Sequence, residues 1–172
     1  MKHFISRRNF LKAAGVTAAA SAMAAAVPQA SAGFLTGKDA AVTILYTNDV
    51  HTYIDNKSPK LTYAAIAAMK QGYVDEGKPV LLVDAGDHIQ GTAYGSMDNG
   101  ATIIELMNEA GYDIATLGNH EFDYGMARAK AIIKEADFPY VSCNWVDLRT
   151  GLRVLPAVKL FPAGGKWIAF VG

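Results

Sequence analysis

An α/β layered fold is predicted by three observations. Short β-branched apolar runs recur along the chain, helix-periodic segments separate them, and glycine or proline marks most changes of period. Residues 41–47 (Ala-Val-Thr-Ile-Leu-Tyr-Thr) are apolar and β-branched, and read as a buried strand. Ser58-Pro59 then has the form of a helix N-cap with proline at the first helical position. Leu61, Ala65, Ala68 and Met69 follow at helical spacing, and Gly77 closes that helix. Residues 79–84 form a second buried strand, and 85–95 a glycine-rich loop. The next helix spans 99–110 with Ile103, Leu106 and Met107 on its apolar face, and Gly111 stops it. Residues 113–117 are a third short strand, 118–124 a loop, and 126–136 a helix that ends before Phe138-Pro139. Residues 140–143 read as a fourth strand. Residues 152–161 and 166–171 are two strands joined at Gly164-Gly165. The chain stops directly after that last apolar strand, so a truncated domain is expected.

Composition narrows the class. The chain has 172 residues, 51% hydrophobic and 19% charged, which fits one ordinary globular domain and excludes disorder. Lys2, Arg7, Arg8 and Lys12 precede Gly33 with no acid among them. Setting those four aside leaves 12 of the 16 basic residues against 16 acidic ones. The remainder is therefore mildly acidic, without the clustered Lys and Arg of a nucleic-acid surface. Cys143 is the single cysteine, so no internal disulfide can form.

Residues 1–32 read as an export signal. Paired Arg7 and Arg8 lead into Phe10-Leu11-Lys12, an Ala-rich apolar stretch at 13–27, and the small-x-small sequence Ala30-Ser31-Ala32. The paired arginines resemble a twin-arginine signal, which implies the twin-arginine export machinery as a partner and a periplasmic or extracellular destination. The apolar run is short for a permanent membrane span. Residues 33–172 are the folded portion.

Three polar clusters fall just after strand ends: Asn48-Asp49-Val50-His51, Gly86-Asp87-His88, and residues 118–123 (Gly-Asn-His-Glu-Phe-Asp). In α/β sheets, sites gather beyond the carboxyl ends of strands, so the three loops can converge. Their Asp, His and Asn donors suit Mn, Fe, Zn or Co. On an extended segment Asp49 and His51 would point the same way and reach one ion. Asp87 beside Gly86 can bridge two cations, and a pair ~3.5–4 Å apart clamps a phosphoryl group. Asn119 can ligate without adding charge. Asp123, three residues after His120, can fix that imidazole's tautomer and favour its protonated form, which suits stabilising a phosphate or protonating a leaving oxygen.

Other residues in these loops read as supports. Asp84 anchors its loop through backbone bonds, Glu121 is a helix or loop contact, and Gln90 and Thr92 shape the loop. His88 is a supporting or exposed residue. Cys143 is a small core residue, and Trp145 and Trp167 are packing residues. Lys130 and Lys134 belong to a solvated helix face.

Taken together, Asn48-Asp49-Val50-His51, Asp84-Ala85-Gly86-Asp87 with Gln90-Gly91-Thr92, and the 118–123 cluster resemble the calcineurin-like metallophosphoesterases. Within these they resemble the branch of 5′-nucleotidases and UDP-sugar hydrolases. Leu106-Met107-Asn108 through Gly111-Tyr112-Asp113 extends the likeness. The resemblance implies the N-terminal part of a layered metallophosphoesterase sandwich with two divalent ions. Asp49 and His51 would hold the first ion, Asp87 would bridge, Asn119 would hold the second, and His120 with Asp123 would form the catalytic pair. It further implies hydrolysis of phosphomonoesters, with nucleoside 5′-monophosphates as substrates. The family draws further ligands from later loops and substrate contacts from a C-terminal domain. This chain has no histidine after His120. Two other readings stand beside this one: a thiosulfohydrolase of sulfur oxidation on the same fold, and a fragment that lacks the complete ligand set and does not turn over.

Overall fold

The structure, a computed structural model, describes residues 41–54 and 62–172. The export signal and the Ser58-Pro59 cap lie outside the described residues. Strands β1 (Thr43–Thr47), β2 (Val80–Asp84) and β3 (Ile114–Ala115) form a parallel sheet in that order. Thr43 pairs with Val80 through to Thr47 with Asp84, and Val83 and Asp84 pair with Ile114 and Ala115. All three strands therefore deliver their carboxyl ends to one edge of the sheet.

Helix α1 (Tyr63–Asp75) follows β1. Thr62, in extended backbone, caps it by accepting the Ala65 N–H at 3.2 Å, so the described helix starts after the cap foreseen at Ser58. Helices α2 (Ala93–Ser96) and α3 (Ala101–Ala110) lie between β2 and β3. The short α2 falls where only loop was expected: Thr92 caps it by accepting the Tyr94 N–H, a cap signal hidden among glycines. Gly111 ends α3 in the left-handed conformation, φ 77°, as its position predicts. Helix α4 is Met126–Glu135. Its carboxyl end is held by Asn108, whose side chain donates to Glu135 O and accepts the Asp137 N–H. Arg128 makes a two-pronged bond to Glu135, 2.7 Å in each arm. Lys130 and Lys134 are exposed, as expected.

The core lies between the sheet and these helices. Leu81, Leu82, Ile103, Ile104, Met107 and Ile132 are fully buried. Strand β2 is buried along nearly its whole length, the signature of a central parallel strand. The expected burial of β1 is only half met: Ile44 and Tyr46 are exposed, because only one face of the strand packs against the described core.

The third strand is shorter than 113–117 because a side chain takes over part of its ladder. Asp113 N–H donates to Leu82 O at 2.8 Å, while the Asp113 carboxylate accepts the Leu82 N–H at 2.7 Å. Lys70, reaching from α1, bonds the same carboxylate at 2.7 Å and also Gly111 O. This polar clasp joins helix α1 to the β2–β3 seam. Asp113→Ala strips the acceptor from a buried strand N–H and from Lys70. It is expected to lower the unfolding free energy by about 1–3 kcal/mol. A urea midpoint that falls with an unchanged slope would register that loss.

The fourth predicted strand is reduced to one parallel bridge, Ala115 to Tyr140. Beyond it, Ser142 N–H donates to Pro156 O and Cys143 N–H to Gly172 O, so this segment turns to hold the hairpin. Cys143 is exposed there, contrary to its expected place in the core. Strands β4 (Val158–Ala163) and β5 (Lys166–Val171) pair antiparallel. Gly164 and Gly165, at φ 57° and 74°, form the left-handed pair of a tight hairpin turn, as the sequence indicates. Trp145 packs edge-to-face on Phe122 at 5.0 Å, while Trp167 is 71% exposed and packs little.

Candidate active site

The loops after β1, β2 and β3 meet. Ala85 N–H donates to Thr47 O, Asp49 N–H to Gly86 O at 3.1 Å, and His51 N–H to Asp87 O at 3.0 Å. The first two loops thus continue the sheet's pairing past the last regular residue. The third loop joins them through His120 N–H, which donates to Asp87 Oδ1 at 2.8 Å.

The backbone of these loops is not extended. Asp49, His51, Thr52 and Asp87 all have left-handed backbone, with φ between 47° and 58°. Non-glycine residues rarely adopt this, and strain of this kind collects at functional sites. The alternation argument for Asp49 and His51 therefore fails, yet the two still converge: Asp49 Oδ1 lies 3.7 Å from His51 Nε2. Thr52 is fully buried and pins the turn. Its hydroxyl accepts the Thr92 N–H, and the Thr92 hydroxyl donates back to Thr52 O. Thr92 thus does shape the loop, and Gln90 contributes its carbonyl to His51.

One donor atom each of His51, Asp87 and His120 lies within 4.8 Å of the others. That is the span of a divalent ion's ligand shell, so among the described residues this is where a cation fits. The His51 and His120 rings meet edge-on with centroids 5.0 Å apart. Close backbone approach makes the cluster possible. A Cβ on Gly118 would lie 2.2 Å from Asp87 Oδ1, and one on Gly91 would lie 2.2 Å from His51 O.

Each histidine is oriented by its second nitrogen. His51 Nδ1 lies 3.0 Å from Gln90 O, a carbonyl that can only accept, so Nδ1 is the donor here and, of the two neutral tautomers, the contact selects the one with its lone pair on Nε2. His120 Nδ1 lies 2.7 Å from Asp123 Oδ2. That hydrogen bond, with the charges of Asp123 and Asp87, holds the His120 pKa above the ordinary histidine value. Asn119 is exposed at the head of the short 3-10 turn His120–Phe122, directly before His120. The structure therefore brings together His51, Asp87 and His120, with Asp49 and Asp123 each attached to one of them. The sequence separates metal ligands from the catalytic histidine; the geometry sets His120 among the donors.

Beneath the loops lies a buried polar network. His88 is fully buried, not exposed. Its Nδ1 lies 2.8 Å from Asp84 Oδ1 and its Nε2 2.9 Å from the Tyr140 hydroxyl. Burial opposes charge on His88, but Asp84 and Glu121 outweigh it and keep its pKa above the ordinary value. Asp84 also accepts the Gly86 N–H and the Thr47 hydroxyl, which is the loop anchoring its position suggested. Burial, then the charges of Asp84 and Glu121, push the Tyr140 hydroxyl well above its ordinary pKa, so it stays a phenol. Glu121, fully buried, accepts backbone N–H groups from two loops. Tyr140 escapes sequence reasoning because its strand looked purely structural; no local signal ties it to His88.

The profile of the calcineurin-like phosphoesterases matches residues 42–168, and that of the twin-arginine translocation signal matches residues 5–27. A signal of that kind indicates export across the cytoplasmic membrane. Among the described residues, no helix is long and apolar enough to cross a membrane. The human 5′-nucleotidase is 35% identical over 149 residues, covering 76% of this chain and 26% of its own length. The chain thus spans about a quarter of that relative. The structure of a 5′-nucleotidase precursor from Thermus thermophilus matches with a TM-score of 0.67 and 30% identity, over 76% of this chain and 28% of that one. The T. thermophilus sulfate thiohydrolase SoxB matches with a TM-score of 0.65 over 79% of this chain and 36% of its own. At 16% identity that likeness is one of fold.

Proposed function

The chain belongs to the calcineurin-like phosphoesterase family, and from that premise we propose that it is the N-terminal part of an exported two-metal phosphomonoesterase acting on nucleoside 5′-monophosphates. Residues 1–32 are the signal and residues 33–172 the donor-bearing part of the catalytic domain. The site of action is the periplasm or the space beyond it. The observation that carries the reading is the convergence of His51, Asp87 and His120 from three separate loops. The relatives named 5′-nucleotidase support the choice of substrate.

In this reading Asp49, His51, Asp87 and Asn119 would hold the two ions. Mn, Zn or Co suit these donors. When bound, the ions supply positive charge to the phosphoryl oxygens and lower the pKa of a bound water. The chain's own residues do the rest. His51 presents the Nε2 lone pair that Gln90 O selects. Asp87 keeps one oxygen on the His120 N–H and offers the other to the site. His120 Nδ1 is held by Asp123, and its raised pKa favours an Nε2–H that can donate to a phosphate or leaving oxygen.

Titration of the purified chain with Mn²⁺, together with phosphate release from AMP, with and without chelator, by a protein in which the chain is joined to the later ligand-bearing segments of a 5′-nucleotidase relative, tests the proposal. Divalent-ion binding, and release that stops with chelator and returns with Mn²⁺, are the expected results. Failure to bind any divalent ion, or release indifferent to chelation, overturns the reading.

A further inference from the structure

Glu121 is the residue through which the second and third loops share one anchor. It is fully buried, and both of its oxygens are used. Oε2 accepts the N–H of Asp87 at 2.9 Å and of Gly118 at 2.6 Å. Oε1 accepts the N–H of His88 at 2.8 Å and of Ile89 at 3.4 Å. Asp87 is in left-handed backbone, φ 58°, which these bonds help to hold. The same carboxylate lies 3.5 Å from His88 Nδ1, so its buried charge has a partner. Glu121 adjoins His120 in sequence but points away from the donor cluster, into the protein.

We propose that Glu121 is a positioning residue: its carboxylate sets the Asp87 side chain against His51 and His120 by clamping the backbone of both loops at once. The inference rests on the phosphoesterase reading for its functional meaning, but not for its geometry. An amide in place of the carboxylate has a single accepting oxygen. Glu121→Gln therefore leaves one pair of N–H groups facing an NH₂ that cannot accept. The loops then separate slightly, and the Asp87 carboxylate loses its fixed place over the His120 N–H. Residues that support ligands in this way typically change metal affinity 10–100-fold.

Two readouts test this on the 172-residue chain. In the metal-free protein, amide hydrogen exchange at Asp87, His88 and Gly118 rises at least tenfold in Glu121→Gln. The deciding amide is His120, which bonds Asp87 Oδ1 and not Glu121; its exchange rises as well, while Met107 in the core is unchanged. In the second readout Mn²⁺ affinity falls roughly 10–100-fold. In Ile132→Val, a destabilised control buried in helix α4, affinity stays at the unsubstituted value. Unchanged His120 exchange overturns the proposal, and so does an equal loss of Mn²⁺ affinity in the control. If Glu121→Gln does not fold, Glu121→Asp, which keeps both oxygens on a shorter arm, takes its place with the same criteria. Should the unsubstituted chain bind no Mn²⁺ while the His120 amide still responds, the phosphoesterase reading falls and the positioning role stands.

Discussion

Asp87→Ala is expected to lower the affinity of the chain for Mn²⁺ by more than a hundredfold and to abolish any chelator-sensitive phosphate release. Supporting residues alone are worth 10–100-fold, and among the described residues Asp87 is the carboxylate that meets both histidines. Its donor atom lies within 4.8 Å of those of His51 and His120. It is also the acceptor for His120 N–H, so its removal costs a donor and frees the third loop in the same stroke. Asp87→Asn separates the two effects: the amide oxygen can still accept from His120, but the charge is gone. Isothermal titration of all three proteins would show the Asn variant between the other two. Wild-type affinity in the Ala variant would place the ion elsewhere and remove the proposed site.

His88→Leu is expected to cost about 3–5 kcal/mol of stability, the scale for deleting one partner of a buried charge pair. Total stability for such a domain is about 5–15 kcal/mol, so this is a large fraction. Leucine fills similar space but leaves Asp84 without its 2.8 Å partner and the Tyr140 hydroxyl without its own. Stability should also depend on pH through this residue. The folded pKa of His88 is raised, so its contribution is complete below the unfolded value of about 6.5 and is lost as pH rises through the folded one. Denaturant midpoints taken at several pH values should therefore fall on the alkaline side in the parent protein and fall less in the variant. His120, whose pKa is raised by Asp123, adds a contribution of the same sign that the variant keeps. A cost below about 1 kcal/mol, or an unaltered pH slope, would refute this account of the network.

The alternating apolar runs made the parallel sheet legible, because β2 is buried on both faces and has no polar residue before Asp84. The converging residues were legible because His51, Asp87 and His120, like Asp49 beside them, all follow a strand end closely. What the sequence concealed is tertiary. Nothing local shows that one face of β1 lies uncovered, so the exposure of Tyr46 could not be read from its apolar run. The left-handed turns at Asp49 and His51 depend on bonds to Gly86 and Asp87, about 36 residues away, and so escape any period-two argument. His88 reads as supporting or exposed and Glu121 as a helix or loop contact, because burial of a charge is visible only once its partners are placed. Asp113, expected to open a strand, instead lends its carboxylate to the ladder and shortens it.

The left-handed residues around the site carry a practical lesson for protein engineering. Substituting glycine where φ is positive relieves steric repulsion of about 1–2 kcal/mol per residue in general, less for Asn and Asp. A laboratory screen that selects on heat resistance alone would be drawn to Asp49, His51 and Asp87, and each success would strip a polar side chain from the place where the loops converge. Asn99 has the same backbone, φ 54°, but lies outside the converging loops. Directed evolution of this scaffold therefore needs a selection that scores ion capture alongside robustness, so that improvement is steered toward Asn99 and away from the loops.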